Sequence, residues 1–407
     1  MKTAKILFFI VIASLIVVPL LLPFIGKNKG EKPTALESKK VEWQGDNAVP
    51  LQQPIKNWSY THFDGDEVAG EFSGEEARIV GTGEYDLVKP SAVIYTKPDT
   101  PEDISKKVLL SAHKGHYSDA DRTLLLSDSV IAEIEEDKAK LTADELLVET
   151  TKRTITTKGG FLLTKPDIEC SGKGLVADDS LSKVKIQENA YIKRADQNRA
   201  TYIYADSMEI DIVKRNESSR SNMTADYEIS NLVATSSRFS KVVTNNSIIE
   251  SAKIIGQKEA DVILLKGPKR LTFNEYIATS DGDAVFDSAN KLARFSDNAK
   301  VGNKDFTILA DNIAIKLSED GKNVEDIIAI GSVSVFNKAD GTTIYGESLK
   351  RNLVSGAISV TGSPYVSAIR GEGTLKVGEL IFNQKNKTIE GRKGKQRSVL
   401  QFRYEKK

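Results

Sequence analysis

The chain has 407 residues, which suggests two or three domains, and its 57 Lys and Arg are balanced by 57 Asp and Glu. A binder of nucleic acid usually carries a basic surplus, so the balanced charge disfavours a nucleic-acid partner. The single cysteine, Cys170, excludes an intramolecular disulfide, and three histidines leave little material for a zinc or haem site. Hydrophobic residues make up 40% of the chain, enough for a buried core. We therefore expect a folded protein without a metal or other cofactor.

The first thirty residues contain an uncharged, mostly apolar run at 6–25, flanked on both sides by lysines. A helix of this length spans roughly the 30 Å hydrocarbon core of a bilayer. A cleaved signal peptide is the alternative, but its apolar core is usually shorter and ends in small residues, whereas this run ends in Phe24 and Ile25. We expect residues 1–30 to form an uncleaved, single-pass transmembrane anchor. Residues 31–57, polar and containing prolines, are expected to form a linker.

Beyond the linker, apolar and polar residues alternate in short runs such as 130–135, 207–212 and 312–317. Side chains alternate across a strand, so each run predicts one apolar and one polar strand face. Polar segments at 118–121, 287–290, 318–321 and 383–386 predict hairpin turns, and Gly159 and Gly160 predict another β-turn. No convincing amphipathic helix follows residue 40. The fold class predicted is all-β and antiparallel.

A longer repeat overlies this alternation. Pairs of a small residue and an acid recur, each followed by an apolar strand, with the acids at Asp144, Asp178, Asp206, Asp311, Glu347 and Glu379. Their recurrence every few tens of residues predicts stacked hairpin units that share one core. We expect each pair to mark the start of a strand.

At 110–130 a small residue, a glycine and an aromatic residue are followed by a hairpin turn and an apolar strand, and the pattern continues at 141–146, 154–159 and 172–181. In these segments, 110–117 and 124–130 among them, the sequence resembles the lipopolysaccharide-export family LptC, and with the anchor the resemblance covers about residues 1–195. From about 200 to 395 the repeat resembles the related OstA/LptA-like domain, for example at 272–301 and 306–335. LptC proteins usually carry one such β domain, so the second half departs from the pattern. The resemblance implies an LptC-like domain at 58–197 and an OstA/LptA-like domain at 198–400.

The resemblance also implies a fold and a function. The fold is a pair of antiparallel sheets that form a V-shaped jelly-roll. The function is non-enzymatic: the protein, anchored in the inner membrane with its bulk in the periplasm, binds the acyl chains of lipopolysaccharide in an apolar trough. It relays the lipid from the permease subunits of an inner-membrane ABC transporter toward the outer membrane. Further OstA/LptA-like β domains are expected as partners through edge-strand addition.

The apolar strand faces are the candidate lining of such a trough, although an inward strand face is most often packed core. The candidates are Val130, Ile134, Val184, Ile186, Met208, Ile210, Ile212, Ile313, Ile315 and Leu317. A basic stretch near the C-terminus is a candidate contact for anionic groups or a partner protein, through Arg392, Lys393, Lys395 and Arg397. Most charge runs near a terminus are simply solvated.

Catalytic and metal sites have little support in the sequence. His113 and His116 lie three apart, which on a strand places them on opposite faces. The neighbouring acids Asp178 and Asp179 are more typical of solvated turns than of a calcium loop. Two other functions remain open: a structural or assembly β-repeat protein of the cell envelope that binds no lipid, and a β-solenoid enzyme acting on carbohydrate. The solenoid is disfavoured because hairpin turns imply antiparallel strands and no stacked acids are found.

Overall fold

The structure, a computed structural model, describes residues 54–64, 67–96, 105–196, 199–214, 227–319, 323–383, 388–392 and 399–401. Within these ranges most residues lie in strands, none lies in a helix, and every strand pair is antiparallel. The prediction of an all-β antiparallel fold is confirmed. The anchor predicted for residues 1–30 lies outside the described residues.

Twenty-six strands make up the described part of the chain. The first thirteen are β1 (Ile55–Asp64), β2 (Glu67–Gly81), β3 (Glu84–Val88), β4 (Ser91–Tyr95), β5 (Lys107–Ser111), β6 (Lys114–Ser118), β7 (Thr123–Ile134), β8 (Ala139–Glu149), β9 (Thr154–Lys165), β10 (Ile168–Asp178), β11 (Lys183–Asp196), β12 (Arg199–Ala205) and β13 (Ser207–Lys214). The others are β14 (Tyr227–Val243), β15 (Ser247–Gln257), β16 (Val262–Phe273), β17 (Tyr276–Ser280), β18 (Ala284–Asp287), β19 (Leu292–Gly302), β20 (Phe306–Leu317), β21 (Val324–Asn337), β22 (Thr343–Asn352), β23 (Ala357–Arg370), β24 (Gly373–Asn383), β25 (Thr388–Arg392) and β26 (Val399–Gln401).

The strands pair largely in chain order, as successive hairpins, and the long strands are divided between two sets of neighbours. Strand β11, for example, pairs with β12 over 190–196 and with β13 over 183–186. We call half-sheet A the set formed by β4, β5, β12, β17, β26 and the parts of the long strands in line with them. Half-sheet B is the set formed by β3, β6, β13, β18, β25 and the remaining parts of the long strands.

The long strands change register where they cross from one half-sheet to the other. Such shifts interrupt the pairing of β7 with β8 after Ser127 and of β19 with β20 after Ser296. Two residues at the first crossing, Asp128 and Ser129, have φ values of 67° and 61°, which is the left-handed backbone of a β-bulge. Bulges bend a strand, so the two half-sheets can turn their apolar faces toward a common interior.

Of the six small–acid pairs, three lie at these crossings and not at strand starts as predicted, whereas Asp206 directly precedes β13, as predicted. Asp144 and Asp311 fall within the register shifts of β8 and β20, and Glu347 falls within that of β22. Asp178 instead closes a hairpin, where its Oδ1 accepts hydrogen bonds from the backbone N–H groups of Ser182 at 2.7 Å and Lys183 at 3.0 Å. A small residue and a solvated acid suit a bend, where pairing is lost and the strand face changes.

One hydrophobic core runs through both half-sheets. Burial alternates along the strands, as in β20, where Ile308, Ile313 and Ile315 are buried and Leu309 is exposed. Complete burial of a side chain of this size stabilises the fold by about 1.5–3 kcal/mol. Fully buried leucines and isoleucines occur in both parts of the sheet, for example Leu110 and Ile192 in the first part and Ile308 and Ile327 in the later part.

The predicted strands at 130–135, 207–212 and 312–317 correspond to parts of β7, β13 and β20, and the turns at 118–121 and 287–290 are found. The turn predicted at Gly159 and Gly160 is wrong, because both lie inside β9, where Gly160 pairs with Lys173 of β10. They stand near the crossing between half-sheets, where a strand must bend. Strand β1 begins at Ile55, inside the region 31–57 predicted as a linker; it is an edge strand, which tolerates polar residues.

Candidate functional site

A cavity of about 820 Å³ lies between the half-sheets in the part of the chain after residue 200. We call it the interior cavity; Ile249, Leu271 and Ala278 line it from half-sheet A, and Phe286, Ala293 and Ile315 line it from half-sheet B. An apolar cavity of about 150 Å³ is already large enough to stay dry and bind benzene. The interior cavity is several times larger and can accept a substantial hydrocarbon group.

Small side chains create the space. Ala278 and Ala293 occupy inward positions on β17 and β19 and are only 2% and 3% exposed. Followed along the register, the row of Ala278 reaches a buried leucine, Leu163 on β9, whereas the row of Ala293 reaches another buried alanine, Ala177 on β10. The same alternation therefore encloses packed core in one part of the sheet and empty volume in another.

The rim of the interior cavity is polar. On half-sheet A it includes the turn between β14 and β15, where the Ser247 backbone N–H donates a hydrogen bond to Thr244 Oγ1 at 3.1 Å. On half-sheet B it includes Lys291 and Glu319, which follow β18 and β20. An apolar lining beneath a hydrogen-bonding and charged rim fits an amphipathic ligand.

Two cation–π contacts join the half-sheets, one on each side of the cavity along the chain. Arg351 on half-sheet B places its guanidinium carbon 3.5 Å from the ring centre of Phe306 on half-sheet A. Burial lowers the pKa of Arg351 from its ordinary value. Lys165 on half-sheet A places its ammonium nitrogen 5.2 Å from the ring centre of Tyr227 on half-sheet B.

The Lys165 contact belongs to a buried polar cluster. Lys165 is 5% exposed and its ammonium nitrogen has no hydrogen-bond partner, while burial lowers its pKa to about 8. Beside it, the Asp137 carboxylate accepts a hydrogen bond from Lys106 Nζ at 2.7 Å and another from the Tyr227 hydroxyl. The cluster joins side chains from both half-sheets.

The candidate lining residues from the sequence are all buried, but only two of them border the interior cavity. Ile315 and Leu317 line it. The other eight lie in the hydrophobic core: Val130, Ile134, Val184, Ile186, Met208, Ile210, Ile212 and Ile313. Sequence reasoning missed Leu271, Phe286 and the inward alanines. The signal available was an inward alanine on each of β17 and β19, although inward alanines such as Ala132 and Ala177 also lie in packed core.

The predicted basic contact is only partly described. Arg392 ends β25 and forms ion pairs with Glu390 at 3.0 Å and with Glu379 at 3.9 Å. Lys393, Lys395 and Arg397 lie outside the described residues. The role predicted for these four residues stays a prediction.

The residues considered for catalysis or metal binding have structural partners. His113 lies in the bend before β6, and His116 Nδ1 lies 2.9 Å from the Asp86 carboxylate. Cys170 is fully buried, and burial raises the pKa of its thiol to about 12. Within the described ranges, no group of three or more His, Cys, Asp or Glu side chains is placed to hold a metal ion.

Comparison with known proteins identifies the first part of the sheet. Residues 52–194 match the family model described as "Lipopolysaccharide-assembly, LptC-related". The LptC resemblance is confirmed for this segment, which spans β1 to most of β11, and it supports a role for the chain in lipopolysaccharide transport. The family description names assembly and no reaction.

One solved structure similar to part of the chain is that of LptH, described as the LptA-homologous periplasmic component of the conserved lipopolysaccharide transport device from Pseudomonas aeruginosa. The two share 13% identity, with a TM-score of 0.29, and the match covers 32% of this chain and 95% of that one. No curated protein matches the chain. Among the residues that the structure describes, no helix is long and apolar enough to cross a membrane.

Proposed function

We propose that the chain is a non-enzymatic component of lipopolysaccharide transport that holds acyl chains in the interior cavity. The observation that carries the proposal is the joining of an LptC-related segment to a sheet whose later part encloses about 820 Å³ of mostly apolar space. Burying each CH₂ group of an acyl chain contributes about 0.8 kcal/mol, so several chains inside the cavity would bind strongly. The sugar and phosphate groups would remain in water at the polar rim.

We further propose where the chain lies in the cell envelope. Residues 1–30 anchor it in the inner membrane, and the sheet stands in the periplasm as two jelly-roll segments, 58–197 and 198–400, between the permease subunits of an ABC transporter and the outer membrane. The strand at one edge, β1, pairs only with β2 within the described residues, so its other side is available to a further OstA/LptA-like domain. The proposal's alternative is a structural protein of the envelope that binds no lipid.

Photo-crosslinking in living cells separates these two functions. A photoreactive amino acid is placed singly at Leu271 and Ile315, which line the cavity, and at their exposed neighbours Arg270 and Lys316 as matched controls. We expect lipopolysaccharide adducts at the two lining positions and none at the controls. A further position, Ile186, tests the closed core and should give no adduct. A folded protein without adducts at Leu271 and Ile315 would overturn lipid binding and favour the structural alternative.

A further inference from the structure

Half-sheet B carries one unbroken inward-facing row across its later strands. The residues of this row are register partners, strand after strand: Ile263, Phe286, Ala293, Ile315, Ile327, Arg351, Ile358 and Phe382. Seven of the eight side chains are apolar. The exception is Arg351, which is 5% exposed and stands between Ile327 and Ile358.

Half-sheet A carries a matching row without any charge. Its register partners are Ile249, Leu271, Ala278, Val301, Ile308, Val335, Ile344, Ala368 and Leu375. Both rows therefore continue past the strand of Arg351, and the later members Ala368, Leu375 and Phe382 are only partly buried. Apolar surface suited to hydrocarbon thus lies on both sides of one charged side chain.

The interior cavity ends before that side chain. Its lining residues all precede Arg351 in the chain, and the last of them on half-sheet B are Leu317 and Val324. Tyr276, which lines the cavity, has its ring centre 6.2 Å from that of Phe306, the ring that Arg351 covers. The cation, Phe306 and Tyr276 form a stack that reaches from one half-sheet to the other at the end of the cavity.

We propose that Arg351, stacked on Phe306, is the end wall of the interior cavity and sets the length of the alkyl chain that the cavity accepts. This rests on the proposed function, since it assumes that the cavity binds hydrocarbon. An alkyl chain that extends past Ile327 must contact a buried guanidinium that it can neither hydrogen-bond nor solvate. Displacing the guanidinium would also break its cation–π contact, which is strongest where water is excluded. Methylene groups that extend beyond the strand of Arg351 therefore add no further affinity.

The substitution that tests the wall is Arg351→Met, because methionine is a flexible, unbranched apolar side chain that can fill the vacated space. Lys350→Met is the matched control, since Lys350 is the next residue on the same strand and its side chain is exposed. Phe306→Leu is a second variant, which removes the ring and leaves an apolar side chain. Thermal unfolding checks that each variant folds.

The experiment uses the full chain in lipid nanodiscs and saturated fatty acids of graded length that carry a diazirine on the terminal carbon. In the wild type and in Lys350→Met, we expect labels on cavity residues such as Phe286 and binding that stops tightening beyond one chain length. In Arg351→Met, each methylene beyond that length should tighten binding about fourfold, the equivalent of ~0.8 kcal/mol. The longer probes should then label Ile358 and Leu375.

The possible outcomes distinguish a failure of the end wall from a failure of the proposed function on which it rests. Labels beyond Arg351 in the wild type would overturn the wall, whatever the variants do. The same length limit in the wild type, Arg351→Met and Phe306→Leu would also overturn it, while leaving lipid binding in place. Absence of label from the cavity in every protein would overturn the proposed function itself, and the wall with it.

Discussion

Filling the interior cavity from within tests whether its volume is what binds lipid. Ala293 faces the cavity from β19 and is 3% exposed, so Ala293→Phe directs a ring into empty space. Ala329→Phe is the control, because Ala329 is fully buried at an inward position of half-sheet B and does not line the cavity. The two substitutions add the same atoms to the same half-sheet, one into a void and one into packed core.

The two variants should have opposite effects: Ala329→Phe should lower stability, whereas Ala293→Phe should lower the affinity for lipid. In the packed core, the extra ring of Ala329→Phe costs about 1–3 kcal/mol of stability, since it forces its neighbours from their positions. In the cavity, Ala293→Phe should leave the melting temperature nearly unchanged. If its ring displaces about three methylenes of a bound acyl chain, at ~0.8 kcal/mol each, the apparent affinity for lipopolysaccharide falls by about fiftyfold.

The affinity is measured as crosslinking yield against lipopolysaccharide concentration, with a photoreactive residue at Leu271 and the full chain in nanodiscs. Partition of the lipid into the nanodisc is common to both proteins, so the ratio of their midpoints reports on the protein alone. A folded Ala293→Phe variant with the midpoint of the wild type would refute the reasoning, since the filled volume would then not be the binding site.

Two further predictions concern stability. Burial lowers the pKa of Lys165 to about 8, so the folded state binds fewer protons than the unfolded state between about pH 8 and 10.5. The stability of the folded state should therefore rise with pH across this window by about 3 kcal/mol relative to Lys165→Met. Unfolding free energies measured for both proteins at several pH values check this, and parallel curves of stability against pH would contradict it. Gly331 has a φ of 80°, and a Cβ there would lie 2.2 Å from Asp311 Oδ2, so Gly331→Ala should lower stability by about 1 kcal/mol or more. Gly159→Ala is its control in the same denaturation assay, because its nearest neighbour is Thr157 Oγ1 at 3.7 Å, and equal losses in the two variants would exclude backbone strain as the cause.

The sequence predicted the inward faces of the strands but not the volume between them. Ile186 and Ile315 stand in similar alternating runs, and both are buried. Ile186 lies in closed core, whereas Ile315 borders the cavity. The difference depends on side chains from other strands, such as Ala278 and Ala293, whose proximity follows from strand order and register. The alternation of apolar and polar residues within one strand predicts neither strand order nor register.

The crossings between half-sheets were also misread from the sequence, for a related reason. A small residue followed by an acid occurs at turns and at β-bulges alike, because both need a compact, solvated bend. Glycines near a bend give the same ambiguity, so Gly159 and Gly160 were predicted as a turn although they continue β9. Only the pairing of both flanking segments with the same neighbouring strand separates a bulge from a turn, as β9 and β10 show.

The segment that carries the family match is not the segment that holds the cavity. Residues 52–194 enclose a packed interior that contains Leu110, Leu163 and Ile192, and the pocket that Ile94, Val148 and Ile155 line there has a volume of only about 130 Å³. The interior cavity is lined by residues from Ala200 to Val324. If the chain relays lipopolysaccharide, we therefore expect the acyl chains in the interior cavity and not among the fully buried residues of 52–194. Adducts at Leu271 together with none at Ile186 would be the pattern that this division of roles requires.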